Sequence, residues 1–172
     1  MEMKTEQAQA AKSIKAELSK KFHGIKFSVK SHGFAGGNSV DVGWERGPSS
    51  ETVQSIVDKY QYGNFNGMID LYEYKLDRPK TVGSAKYVMA TRTIPKEDFT
   101  AMVKSLCQIY GVDYVPEEWQ LQIGGEYVTS MVHRIMNKRD IPTGYKITGI
   151  EIVEGACGLV EDVYKPLFEK GV

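Results

Sequence analysis

Tyr60-Gln61-Tyr62-Gly63-Asn64-Phe65-Asn66-Gly67-Met68-Ile69-Asp70-Leu71-Tyr72-Glu73-Tyr74 is the stretch on which the fold of this chain turns. It gathers five aromatic residues, two glycines and two asparagines. Glycine takes positive φ without steric cost and asparagine tolerates it, so the segment is predicted to turn sharply at Gly63 and again at Gly67. From Asp70 an alternation begins, with Leu71 and Glu73 on one face and Tyr72 and Tyr74 on the other. That two-residue period is the mark of a strand with an aromatic face. Rings of this kind either roof a core or offer a hydroxyl and an apolar body to a partner. Tyr60, Tyr62, Asn64 and Phe65 are the candidate contact residues.

Upstream of this stretch, Val53, Ile56, Val57 and Tyr60 recur at helical spacing, with Ser49 or Ser50 as cap and Glu51 in the first turn. Two alternating runs precede that helix: Ile25, Phe27 and Val29, then Val40, Val42 and Trp44. They predict an antiparallel hairpin with a long connection through His32–Asn38. The glycines of that connection do not open a helix and have no following Lys-Ser/Thr, so they are not a phosphate loop. Ala11, Ile14, Leu18 and Phe22 mark a first helix, ended by Gly24, with Lys12, Lys15, Lys20 and Lys21 on its solvated face.

Downstream, 76–85 reads as a polar loop containing Arg78-Pro79 and Gly83, and Tyr87, Met89 and Thr91 alternate as a strand. After Pro95, Phe99, Met102, Val103, Leu106 and Tyr110 form a helical stripe that Gly111 ends. An irregular linker over 112–122 with Trp119 as anchor, a break at Gly124-Gly125, and a helix over 126–137 follow. Tyr145, Ile147, Ile150 and Ile152 predict a strand, and 158–168 a last helix carrying Leu159, Val163 and Leu167. The fold class is α+β: an antiparallel sheet built from hairpins, with helices packed on it. At 172 residues the chain is read as a single domain over 1–172. Its N-terminal subregion, 11–94, is helix–hairpin–helix–strands, and its C-terminal subregion, 95–172, is mainly helical.

Lysine plus arginine equals aspartate plus glutamate, so the formal net charge is zero. A non-specific nucleic-acid coat needs a positive surface, which leaves nucleic acid a weak partner. The charge is uneven: residues 1–31 hold seven lysines against three glutamates, whereas 150–172 hold two lysines against five carboxylates. Arg134, Lys138 and Arg139, near Tyr145 in sequence, are the candidate phosphate contacts. His23, His32 and His133 stand apart, without ligand spacing, so no metal and no cofactor is expected. Cys107 and Cys157 read as buried reduced thiols. The carboxylate pairs Asp70/Glu73 and Glu117/Glu118 read as solvated charges. The N-terminus has no apolar signal core and no run is long enough to span a membrane, so a cytoplasmic, non-membrane protein is expected.

Lys26-Phe27-Ser28-Val29, Phe34-Ala35-Gly36-Gly37, Trp44 with Gly47-Pro48, and Tyr60-Gln61-Tyr62-Gly63 with Phe65 and Gly67-Met68 together carry a pattern. Over about residues 11–74 it resembles the large polyvalent protein-associated domain family of phages, plasmids and conjugative elements. The segment 149–164, with Cys157-Gly158 and Glu161-Asp162, extends the likeness toward the C-terminus. The resemblance implies a mobile element as context and brings no catalytic residues. The expected function is therefore that of a non-catalytic interaction protein of a phage or plasmid, binding a host or element-encoded protein such as a defence component, and not an enzyme. The alternative is a nucleic-acid-binding accessory module using the lysines of 12–30.

Overall fold

The computed structural model describes residues 5–75, 83–116, 120–154 and 160–171. It is α+β, and the chain divides into two compact units. The first takes the described residues of Met1–Trp44 and Thr52–Arg92, the second those of Glu45–Glu51 and Thr93–Val172.

In the first unit, α1 (Glu6–Lys21) buries Ala10, Ile14 and Leu18. The helical spacing of these residues makes one apolar stripe while the lysines stay in water. β1 (Ser28–Phe34) and β2 (Gly37–Glu45) pair antiparallel from Ser28↔Gly43 to Phe34↔Gly37. The connection is thus far shorter than expected: His32, Gly33 and Phe34 continue the strand, and only Ala35 and Gly36 turn, with Gly36 at φ 90°. Val40, Val42 and Trp44 face inward as their alternation predicts. They meet Val53 and Val57 of α2 (Ser50–Val57), together with Phe27, Tyr60, Ala85 and Val88.

β5 (Tyr87–Thr93) lies beside β2 in a three-stranded sheet ordered β1-β2-β5. Its inward residue is Val88, with Ala90 half-buried, whereas Met89 is exposed. The expected face, Tyr87/Met89/Thr91, is therefore the outer one. Two glutamines close the backbone of this edge strand. Gln61 Oε1 accepts from the Val88 amide at 2.8 Å, and Gln54 Oε1 accepts from the Ala90 amide at 3.0 Å. Gln54 Nε2 donates to the Val88 carbonyl at 3.0 Å. Side chains here satisfy groups that would otherwise invite a foreign strand.

In the second unit, α3 (Lys96–Tyr110) follows Pro95 and ends at Gly111, which is left-handed at φ 65°. β6 (Gln122–Ile123) and β7 (Glu126–Tyr127) form a short ribbon around Gly124 and Gly125, both at positive φ. The helix expected from 126 therefore begins two residues later, as α4 (Val128–Asn137). β8 (Tyr145–Ile152) pairs antiparallel with β9 (Tyr164–Lys170), and α5 (Val160–Val163) precedes β9. The last helix, expected over 158–168, is thus replaced by one helical turn and a strand. Pro166 is the reason: inside a helix it would lose a hydrogen bond and clash with the preceding turn. In β9 it turns inward with Tyr164. Met102, Val103, Leu106, Val132, Ile135 and Ile147 centre the core of this unit. Trp119, Cys157, Arg78-Pro79 and Glu117/Glu118 lie outside the described residues.

Candidate functional site

The aromatic stretch folds into a two-stranded ribbon, β3 (Gly63–Asn66) with β4 (Leu71–Tyr74), in register from Gly63↔Tyr74 to Asn66↔Leu71. It turns once, over Gly67–Asp70. Neither Gly63 nor Gly67 takes positive φ; Asp70 does, at 50°. Gly63 is needed for space instead. A Cβ there would stand 2.3 Å from the Tyr72 ring and 2.4 Å from the Glu73 carbonyl oxygen. Gly63→Ala is expected to cost about 1–3 kcal/mol through overpacking, measured by urea unfolding, while Gly67→Ala, whose Cβ would meet only the Phe65 ring at 3.9 Å, stays near the parent.

Register places Phe65, Tyr72 and Tyr74 on one face of the ribbon. Tyr74 stacks on Tyr62 at 5.8 Å, Tyr72 meets Tyr74 edge-on at 5.2 Å and Tyr87 edge-on at 6.1 Å, and Tyr87 stacks on Phe34 at 6.4 Å. Lys86 Nζ sits 5.1 Å from the Tyr72 ring centre and 5.6 Å from that of Tyr87. The Tyr72 hydroxyl donates to the Lys86 carbonyl at 2.6 Å. Burial, with the neighbouring tyrosines adding to it, pushes that hydroxyl up to about 12, so it stays a donor at physiological pH. Gln61 ties the ribbon base to β5, its Nε2 donating to the Gly63 carbonyl and to Asn64 Oδ1 at 2.8 Å each. The base of the ribbon is thus anchored, and its far end is not covered: Phe65 is 56 % exposed, Ile69 and Leu71 58 % each, and Met68 96 %.

The candidate residues separate on this geometry. Tyr60 is core, 4 % exposed, its hydroxyl donating to Glu17 Oε2 at 2.7 Å. Tyr62 is half-buried in the ring array, Asn64 is exposed and accepts from Gln61, and Phe65 is exposed. Arg134, Lys138 and Arg139 belong to the second unit, where Arg134 Nη2 donates to Glu126 Oε2 at 2.8 Å. Lys12, Lys15, Lys20 and Lys21 are exposed along α1. Met68, Ile69 and Leu71, not among the candidate contacts, are exposed beside Phe65. The available signal was apolar residues directly after Asn66-Gly67, where a turn ordinarily carries polar ones.

Glu17 also accepts from Lys59 Nζ at 2.6 Å. Burial pushes its carboxyl up, but hydrogen bonds from Lys59 and Tyr60 and the charges of Lys59 and Lys21 outweigh it, and the net shift is downward from 4.5. A depressed folded-state pKa stabilises above the unfolded value and loses that contribution as pH falls through the folded one. The parent is therefore expected to lose stability below about pH 4.5 more steeply than Glu17→Gln, measured by thermal unfolding against pH.

Cys107 is a buried thiol. His32 Nε2 lies 3.3 Å from Asp41 Oδ2, and the His133 ring lies 5.4 Å from that of Phe99. Among the described residues no three His, Cys, Asp or Glu side chains gather as metal ligands, and no helix is long and apolar enough to cross a membrane.

Comparison with curated proteins and with solved structures returns no match. The family model described as large polyvalent protein associated domain 29 matches residues 5–98. That span takes in α1 through β5, including the whole β3–β4 ribbon. More than half of the chain is matched, so it belongs to the large polyvalent protein associated domain 29 family and is a protein associated with phages and other mobile elements.

Proposed function

We propose that this protein acts by contact, without turnover: it binds a host or element-encoded protein through the far end of the β3–β4 ribbon, with a component of host defence as the kind of target that suits a mobile element. The observation that carries this reading is the group Phe65, Met68, Ile69 and Leu71, four large apolar side chains exposed together on one short ribbon. By register Phe65 and Leu71 stand on opposite faces of the ribbon, with Met68 and Ile69 in the turn between them, so the exposed apolar side chains surround its far end; an exposed apolar surface gathered in this way is often functional. Asp70 and Glu73, exposed on the same ribbon, disfavour nucleic acid at this surface, since a phosphate backbone would be repelled.

The test is affinity capture from cells that carry the element, with the parent chain and the Phe65→Ser/Met68→Ser/Ile69→Ser variant side by side. A protein retained by the parent and lost from the folded variant supports the reading. Identical retention by both overturns it.

A further inference from the structure

We infer that the crest of the β3–β4 ribbon seats in an apolar pocket of a partner protein whose rim carries lysine or arginine side chains. This rests on the protein-binding role proposed above and adds the chemistry of the partner.

The crest has a set shape. The Met68 amide donates to Asn66 Oδ1 at 3.1 Å, the Ile69 amide to the Asn66 carbonyl at 3.4 Å, and Asn66 Nδ2 to Glu73 Oε1 at 2.9 Å. Asp70 closes the turn in the left-handed region, where aspartate is better tolerated than most residues. These bonds fix the backbone while Met68 stands 96 % exposed at the apex. Little backbone order is left to be lost on docking. A projecting apex of Met68 and Ile69, with Phe65 on one face of the ribbon behind it and Leu71 on the other, fits a concave apolar site, and the unbranched thioether of methionine adapts to its walls.

Charge decides among occupants. Residues 63–74 carry Asp70 and Glu73 and no lysine or arginine. Both carboxylates are exposed, and among the described residues neither is ion-paired. Lys75 leaves from the base of the ribbon, and its Nζ donates to the Asp58 carbonyl at 2.9 Å. Two copies meeting crest to crest would set like charges together, and an anionic lipid surface would be repelled. A pocket rimmed by cations meets both demands of the crest, apolar at the apex and anionic at the shoulder.

The test replaces Met68 in the full chain by the photo-crosslinker p-benzoylphenylalanine, in cells that carry the element, with and without Asp70→Asn/Glu73→Gln, which removes both charges while asparagine keeps the left-handed turn and glutamine keeps an acceptor for Asn66 Nδ2. Circular dichroism and thermal unfolding first establish that both chains fold alike. Illumination is expected to join the crest to a protein at a peptide holding apolar residues beside lysine or arginine, and loss of the two charges to lower the yield about tenfold. Equal yield from the neutralised chain, or a joined peptide without cations, overturns the cationic rim and leaves the protein-binding role standing. Adducts only with a second copy, with lipid or with nucleic acid, or no adduct, overturn both.

Discussion

Asp98→Ala is expected to lower the unfolding free energy by about 3 kcal/mol, the largest loss from any single polar side chain described. Asp98 is fully buried in the first turn of α3, where a carboxylate also suits the helix dipole. Its oxygens accept from Arg46 Nε at 2.8 Å and Nη2 at 3.0 Å, a two-pronged pair. Arg46 holds φ at 53°, a left-handed conformation that costs a non-glycine residue about 1–2 kcal/mol. Asp98 holds its side chain, with the exposed Glu45 and Glu97 adding weaker bonds, and the Thr93 carbonyl accepts from its amide at 3.0 Å. Removing the carboxylate takes the buried, two-pronged partner from a half-buried guanidinium on a strained backbone. Glu97, 3.1 Å from Arg46 Nη2 but exposed, replaces little of the lost interaction. Arg46→Met/Asp98→Leu is expected to recover most of the loss, because breaking a buried pair costs more than replacing both members. Urea unfolding of the single and double variants measures both effects.

The second large effect concerns binding. Phe65→Ser/Met68→Ser/Ile69→Ser is expected to weaken partner binding by about a hundredfold or more, since each large apolar side chain contributes about 1.5–3 kcal/mol when fully buried. Tyr62→Ala combined with Phe65→Ala is a poorer probe than the sequence alone suggests. Tyr62 stacks on Tyr74 and meets Tyr72, so its loss loosens the ribbon base as well as any contact. Met68, at the apex, separates the two effects.

The periodic elements were legible because burial writes its period into the sequence. The stripe Ile14–Leu18, the alternation Val40–Val42–Trp44 and the run Met102–Val103–Leu106 all face their cores. What escaped depends on partners distant in sequence. Side-chain amides, invisible to periodicity, set the edge of β5: Gln61 bonds across 27 positions and Gln54 across 36. β9 looked helical because Leu159, Val163 and Leu167 share helical spacing, yet Pro166 rules out a helix at that point. Within the aromatic stretch the assignment of faces followed from alternation alone, with Tyr72 and Tyr74 on the side that meets other rings. The roles of its glycines did not. Gly63 is fixed by the ring of Tyr72, nine positions away, and the left-handed turn residue is Asp70 rather than a glycine. Of the candidate contacts, Phe65 is exposed and Tyr60 is core. The helical spacing of Tyr60 with Val53 and Val57 already pointed inward; its hydrogen bond to Glu17, 43 positions away, was not legible.

Urea unfolding of Phe65→Ser/Met68→Ser/Ile69→Ser beside the parent decides whether the crest is surface held out for contact or core in disguise. The predicted result is an unfolding free energy within about 0.5 kcal/mol of the parent, as for surface substitutions generally. A loss of about 3 kcal/mol or more, the range seen when large core side chains are truncated, would contradict it.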